Sequence, residues 1–504
     1  MLYKKISLSN NTEISIQIQA PIFFENSERI VFGFPFNYDL ISQNSHLKNL
    51  TENLKGYWLM ILIKEDGIEI ITDILGGVRI YYTKNDTQII ISDDYLYLEK
   101  EFKDKKINFL EIEYWKKHGF TTGQGTFLEG IKKVSPASIL KISSGGVTES
   151  TYFMDKKRIP DAIKHAECIH EDLKDTFENI KKLNKKVVLL FSGGKDSCLI
   201  LQYLLKGNID FIPVFFKTKP LHTTTAEDLN RAKNVAAKLN INLTEIEVEL
   251  SNISVKEKCE ILKEQILDKH YSLLHYSGMK KIKDIYGEDV IVINGQSSDS
   301  ILSFGPSENS TMSYFRRNIM YFPKSLTSII GLLLLCIKTR NRFRLPKSKD
   351  ERLVSLFDEF KYTRVIEVSK SNEYMTYINK YLITKTKELN SYFSKEMYSK
   401  ILSFCQGSDN QVVVNSAFFN KLNLVMPFAT PSIIYNTIVY KNEKIEIKNP
   451  KYSIDIILRD FFQFNYSDLI MHSNSTKEVK GVENKSVEEM EFLFEDFISN
   501  RYNQ

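Results

Sequence analysis

The segment Ser192-Gly193-Gly194-Lys195-Asp196-Ser197 is the part of this 504-residue sequence whose residue types and spacing most clearly suit chemistry. It follows the apolar run from Val187 to Phe191, which reads as a buried strand, and it precedes a stretch of helical periodicity reaching about Leu205. Two adjacent glycines permit positive φ and let the backbone approach a ligand closely. The helix is expected to begin at about Asp196, so its first amides are unpaired and stand at the positive end of its dipole. Such a turn seats an anion. Ser192 and Ser197 add hydroxyl donors, and Asp196 offers a carboxylate that can hold Mg²⁺ against phosphate oxygens. The pattern differs from Gly-x-x-x-x-Gly-Lys-Ser/Thr and is too short to wrap a phosphate as that loop does.

A second loop has the same setting. Val290–Ile293 is a buried strand followed by Asn294-Gly295-Gln296-Ser297-Ser298-Asp299-Ser300, which places a second aspartate just past a strand end. Between the two loops, Phe211–Phe216 reads as a strand and Ala226–Leu239 as a helix with one apolar face. This alternation predicts a parallel sheet that binds ligands at the carboxyl ends of its strands.

These loops need a scaffold. Residues 1–150 are β-rich, with short apolar or alternating runs at Ile14–Ile18, Tyr57–Ile63, Ile68–Ile71, Ile80–Tyr82, Ile89–Ile91 and Ser138–Ile142, broken by Gly76-Gly77 and Gly145-Gly146. A charged helical connection follows, and from about residue 310 the chain reads as mainly helical and rich in aromatic residues. The expected division is an N-terminal domain over 1–155, a connection over 156–185 and a loop-bearing domain over 186–504. The fold class is α/β and α+β.

Bulk properties exclude several classes. Hydrophobic residues make up 42% and charged residues 26%, so disorder is not expected. A net charge of +5 spread over the whole chain is too mild for a nucleic-acid partner. The five cysteines (Cys168, Cys198, Cys259, Cys336 and Cys405) are far apart, which fits reduced thiols in a cytoplasmic protein better than disulfides or zinc. No signal peptide is expected after Met1. The longest apolar run, Ile329–Ile337, is well short of the roughly 20 residues of a membrane span and reads as a buried helix. Its basic flanks suit surface attachment to anionic lipid as the other reading.

Ser-Gly-Gly-x-Asp-Ser after a strand resembles the signature of the PP-loop ATP-pyrophosphatases, which cleave ATP between the α and β phosphates. Three further segments are similar to asparagine synthetases. Asn294–Ser300 resembles that family's Gly-Glu-Gly-x-Asp-Glu loop, with Asp299 on its metal-binding aspartate. Gly56-Tyr57, the Thr72–Tyr82 segment and the Thr126–Pro136 segment look like its glutaminase domain. The Val425–Pro431 segment, Ile457-Leu-Arg459 and Ser475–Glu478 resemble its Pro-Phe-Leu-Asp turn, Leu-Arg helix and Lys-Glu segment, which makes Lys477 the candidate for the lysine that meets the adenylate. The resemblance implies an Ntn-hydrolase-like antiparallel β-sandwich in front of the PP-loop domain.

The departures carry information too. The family's glutaminase uses a cysteine directly after the initiator methionine, with its own α-amine as base. Here that position is Leu2, so the N-terminal domain is expected to be degenerate and unable to hydrolyse glutamine. Gln296 and Ser300 replace two glutamates, which puts aspartate in doubt as substrate. β-Lactam synthetases and lasso-peptide cyclases share this combination of changes. The expected activity is therefore an ATP-dependent ligase that adenylates a carboxylate and joins it to an amine, on a specialised small molecule or peptide, with a partner protein of a biosynthetic pathway as a further expectation. Its implied cofactors are ATP and Mg²⁺. The expected ATP contacts are Phe191, Ser192, Gly193, Gly194, Lys195, Asp196, Ser197, Val214, Asn294 and Gly295; Asp196 and Asp299 would hold the metal, and Lys477, Asp299 and Gln296 would act on the reacting groups. An ammonia-dependent asparagine synthetase, a tRNA-modifying PP-loop ATPase and a non-catalytic ATP-binding protein are the alternatives.

Overall fold

The structure, a computed structural model, describes residues 2–302 apart from 43–45, 104–105, 153–158, 160, 220–222, 265 and 269–271. It also describes short pieces between 377 and 402, then 409–440, 450–468 and 483–502. Lys477 and the 329–337 run lie outside the described residues.

The first half is built from β1 (Leu2–Ser7), β2 (Glu13–Ile18), β3 (Ile22–Glu25), β4 (Arg29–Pro35), β5 (Gly56–Lys64), β6 (Gly67–Thr72), β7 (Tyr81–Lys84), β8 (Gln88–Ser92), β9 (Ile131–Lys133), β10 (Ser138–Ser143) and β11 (Gly146–Thr151). Short helices α1 (Asp39–Ser42), α2 (Leu47–Asn53), α3 (Tyr95–Glu101) and α4 (Phe109–His118) lie between them. The strands form one sheet in the order β1-β2-β8-β7-β9 and another in the order β11-β10-β6-β5-β4-β3. Alternate residues of a strand point to opposite faces, so each sheet can turn one apolar face inward. Ile14, Ile16 and Ile91 of the first sheet share a buried cluster with Phe32, Ile61 and Ile142 of the second, so the sheets pack face to face.

The sheets are not wholly antiparallel. β2 and β8 run parallel, with Glu13 opposite Gln88 and Gln17 opposite Ser92. Between β2 and its return at β7 the chain builds four strands of the other sheet, β3 to β6, and two short helices, and that long crossover permits the parallel pairing.

Helix α5 (Ala162–Lys182) leads into the second half. Here β12 (Lys186–Leu190), β13 (Phe211–Lys219), β14 (Thr244–Glu249), β15 (Val290–Ile293) and β16 (Asn423–Val425) make a parallel sheet in the order β14-β13-β12-β15-β16. Parallel strands need long crossovers, and helices supply them: α6 (Lys195–Lys206), α7 (Thr223–Lys238), α8 (Val255–Glu264), α9 (Leu273–Tyr286) and α10 (Ser297–Leu302). Later come α11 (Asp409–Phe419), α12 (Pro431–Ile438), α13 (Tyr452–Ile456) and α14 (Glu483–Tyr502). No described helix is long and apolar enough to cross a membrane.

The two halves share buried polar contacts. Arg79 of the first meets Asp268 of the second at 2.5 Å, with the aspartate side chain only 1% exposed. Lys55 pairs with Asp172 at 3.1 Å and Asp175 at 2.8 Å on α5. α14 packs back onto the first half: Phe494 stands against Trp115, Tyr502 against Phe127, and Glu99 accepts hydrogen bonds from Arg501 and Tyr502 at 2.7 and 2.8 Å. On its other side Glu489 pairs with Lys258 of α8 at 2.7 Å.

Candidate active site

β12 is central in its sheet and ends at Leu190, so the chain leaves the carboxyl edge with Phe191 buried and its N–H donating to the Val214 carbonyl at 2.8 Å. The turn follows at once. Gly193 has φ +67°, and a Cβ there would stand 2.7 Å from the Ala232 backbone, so both the conformation and the close approach of α7 require glycine. Gly194 occupies the N-cap of α6 with no side-chain cap, which leaves the first amides of the helix open to a ligand. The helix begins at Lys195, a residue earlier than the sequence suggested. Ser197 Oγ donates to the Gly194 carbonyl at 2.9 Å and lies 3.3 Å from Ser192 Oγ, so the two hydroxyls brace the turn.

The second loop closes on the first. β15 pairs beside β12, with Leu189 opposite Ile293. A Cβ added at Gly295 would lie 3.6 Å from Asp196 Cβ. Asn294 donates from its backbone to Val425 of β16 at 3.1 Å, and its side chain accepts from the Gln296 N–H at 2.6 Å. Asp299 lies in the first turn of α10, its side chain 70% exposed. Ser300 Oγ lies 3.4 Å from Asn410 Oδ1 inside the protein.

Asp196 and Asp299 are brought together by a residue that the sequence did not single out. Lys451, next to the start of α13, places Nζ 3.0 Å from Asp196 Oδ2 and in contact with Asp299 Oδ1. Burial works against the charge of Lys451, but the two carboxylates outweigh it and hold the ammonium above the usual lysine range. Burial raises the Asp196 carboxyl, and Lys451 pulls the other way. Among the described residues the remaining oxygen, Asp196 Oδ1, is buried with no hydrogen bond of good geometry, and the Ser298 hydroxyl near the carboxyl helps to lower it. The two carboxylates share one cation position, filled here by the Lys451 ammonium; they are oxygen donors of the kind that hold a divalent cation, which would have to displace that ammonium toward the phosphates. Among the described residues no group of three or more His, Cys, Asp or Glu side chains forms a metal cage.

Three other side chains grip the loop from outside. Lys195 pairs with Asp455 of α13 at 2.6 Å. Tyr466 donates to the Gly193 carbonyl at 3.0 Å, and Arg231 of α7 donates through Nε to the Ser192 carbonyl at 3.3 Å. α13 itself is fixed from α5, where His165 lies 2.8 Å from Ser453 Oγ and 3.2 Å from Thr437 Oγ1.

The structure thus brings together Ser192 to Ser197, Asn294, Gly295, Gln296 and Asp299. Val214 sits with Phe191 behind the loop, its side chain wholly in the core. Lys451, Asp455, Tyr466 and Arg231 were missed. The one local signal was the Lys451/Asp455 spacing of four residues just ahead of Leu458-Arg459.

A parallel sheet that delivers Ser-Gly-Gly-Lys-Asp-Ser to an open helix N-terminus, with a second loop beside it, is the arrangement expected of a PP-loop nucleotide-binding domain of the ATP-pyrophosphatase type, and the sequence comparisons support that class. Residues 183–299 match the family model for thiamine biosynthesis protein (ThiI). Over 306 residues the chain is 21% identical to the microcin J25-processing protein McjC of Escherichia coli, covering 58% of this chain and 56% of that protein. It thus spans little more than half the length of that relative. Among solved structures it is similar to NMN synthetase from Francisella tularensis, at 14% identity over 46% of this chain and 98% of that one, with a TM-score of 0.21. It is also similar to the NH3-dependent NAD synthetase from Campylobacter jejuni, at 16% identity over 42% and 100%, with a TM-score of 0.21.

Proposed function

We propose that the chain is an ATP-dependent ligase that joins a carboxylate to an amine through an acyl-adenylate. The observation that carries this reading is Lys451 between Asp196 and Asp299 at the mouth of the loop. The Lys451 ammonium and the open helix amides are the donors that a departing pyrophosphate calls for. Asp196 and Asp299 would hold Mg²⁺, which would supply charge neutralisation to the phosphates.

In the first step a carboxylate oxygen attacks the α-phosphorus of ATP, and the bond to the β-phosphate oxygen breaks. Pyrophosphate leaves toward the amides after Gly194 and toward Lys451. In the second step an amine attacks the acyl carbon, the C–N bond forms, AMP departs with the carbon–oxygen electron pair, and the nitrogen gives up a proton. Lys477 is proposed to stabilise the oxyanion of that step.

The similarity to a microcin-processing protein, together with Gln296 and Ser300, supports a specialised substrate such as a peptide that supplies both carboxylate and amine. A sulfur-transferring PP-loop enzyme would want a reactive thiol at the loop. The nearest in sequence, Cys198, is buried and pushed up to about 12, because burial disfavours its thiolate. ATP–pyrophosphate exchange across a panel of carboxylates and peptides tests the proposal. Exchange dependent on one of them is expected; its absence across peptides of varied sequence would count against adenylation.

A further inference from the structure

Two consecutive loop residues pair, with opposite polarity, to two residues one helical turn apart. Asp196 binds Lys451 at 3.0 Å, and Lys195 binds Asp455 at 2.6 Å. We propose that Lys195 is a further ligand of the pyrophosphate group and that Asp455 is a positioning residue, which holds Lys195 back and so limits how tightly product pyrophosphate is kept. This inference rests on the reading of the loop as a pyrophosphate site.

The argument begins with which partner can move. Asp455 has a short side chain on a helix fixed from both sides: Ile454 and Ile456 are buried, and neighbouring Ser453 is held by His165. Lys195 reaches its partner on a flexible four-carbon stem, passing 6.0 Å from the centre of the Tyr466 ring. The pair is about one-third exposed on each side, 34% and 38%, so water already screens it. A partly exposed ion pair of this kind holds its partners by a factor of only a few.

Pyrophosphate carries several negative charges where Asp455 carries one, and a charge-assisted bond to phosphate is stronger than a screened pair to a carboxylate. Lys195 begins α6, beside the amides that would seat the phosphates. When they are filled, Lys195 gains by turning from Asp455 to the ligand. Part of that gain is spent breaking the pair, so the site binds pyrophosphate less tightly than a free lysine there would allow. A ligase that must release pyrophosphate in every cycle is served by such a competitor.

The test is the dissociation constant of magnesium pyrophosphate, measured by calorimetry on the full chain. Asp455→Asn should tighten binding about 2- to 5-fold, the range of a screened ion pair. Lys195→Met should weaken it about 10-fold, the scale of one charged hydrogen bond, and Lys195→Arg should recover part of the loss. In a Lys195→Met background, Asp455→Asn should change little. Structural damage does not tighten a ligand, so tightening reports the competition itself. Asp455→Asn that weakens binding or leaves it unchanged overturns the inference, as does an equal tightening with and without Lys195. If the unaltered chain binds magnesium pyrophosphate but no variant at 195 or 455 changes the constant, only this inference falls. If the unaltered chain does not bind it at all, the reading of the loop falls as well.

Discussion

Asp196 and Lys451 stand 255 residues apart in sequence and 3.0 Å apart in space, joined by a bond from the lysine ammonium to the aspartate. Asp196 lies in the first turn of α6 and Lys451 directly precedes α13, so their meeting requires the sheet and the α5–α13 packing to be complete. The predictions below follow from that meeting and from the elements that enforce it.

Lys451 should matter before the amine is involved. Its ammonium faces the carboxylates that would flank the pyrophosphate, so Lys451→Met should slow ATP–pyrophosphate exchange by about 10²-fold or more, the scale of losing one preorganised electrostatic donor. Lys451→Arg should also be poor, because a planar fork does not fit between two carboxylates already placed for a compact ammonium. Exchange at the unaltered rate in Lys451→Met would remove this lysine from the site.

Lys477 should behave differently. If it acts on the oxyanion of amide formation, Lys477→Met should lower product formation by about 10²-fold while pyrophosphate exchange continues. Lys480→Met serves as the control and should be tolerated. Crippling by Lys480→Met and silence of Lys477→Met would shift the assignment along the chain.

Asp196→Asn and Asp299→Asn should each abolish product formation with the fold intact, as judged by circular dichroism. Each removes one of the two carboxylates that Lys451 bridges. Near-normal turnover in either variant would end the shared Mg²⁺ assignment.

Stability should depend on pH through His165. Burial depresses its imidazole from the usual 6.5 to about 3, so the folded chain keeps it neutral while the unfolded chain takes up a proton. That contribution is complete above pH 6.5 and is lost as the pH falls from there toward 3. The slope for one group is at most about 1.4 kcal/mol per pH unit. Urea unfolding at pH 7, 6 and 5 should therefore show a shallower decline for His165→Gln than for the unaltered chain. Parallel declines would contradict the assignment.

Arg79→Met should deprive the buried Asp268 of the Arg79 guanidinium, a change that typically costs about 3–5 kcal/mol. Because the pair joins the two halves, the loss should appear as a lower melting temperature for the whole chain. A drop confined to an early, separate transition would show that the halves unfold independently.

Much of the site was legible because its parts are local. A buried strand, two glycines and the start of a helix fall within a dozen residues, so Ser192–Ser197 and Val290–Asp299 announce themselves in order. Lys451 does not, since nothing beside it in sequence marks its two partners. The parallel β2–β8 pair was hidden for the same reason, because its pairing depends on where the chain returns rather than on any alternation within the strands. β16 is only three residues long and too short for a pattern. The likeness of 56–136 to a glutaminase domain remains a resemblance in sequence, carried here by two packed sheets.

The docking of α14 has a consequence for how the polypeptide is made. Trp115 and Phe127 are covered in part by Phe494 and Tyr502, which a ribosome adds 379 and 375 residues later. At 5–20 residues per second, that interval is roughly 20–80 s. Throughout it the nascent first half lacks the part of its aromatic cover that Phe494 and Tyr502 supply, although Ile261 of α8 and Leu273 of α9, in the same cluster, arrive earlier. Vectorial synthesis therefore leaves this half waiting for its own distant tail, and holding chaperones that bind exposed aromatic surface have their opportunity during that wait.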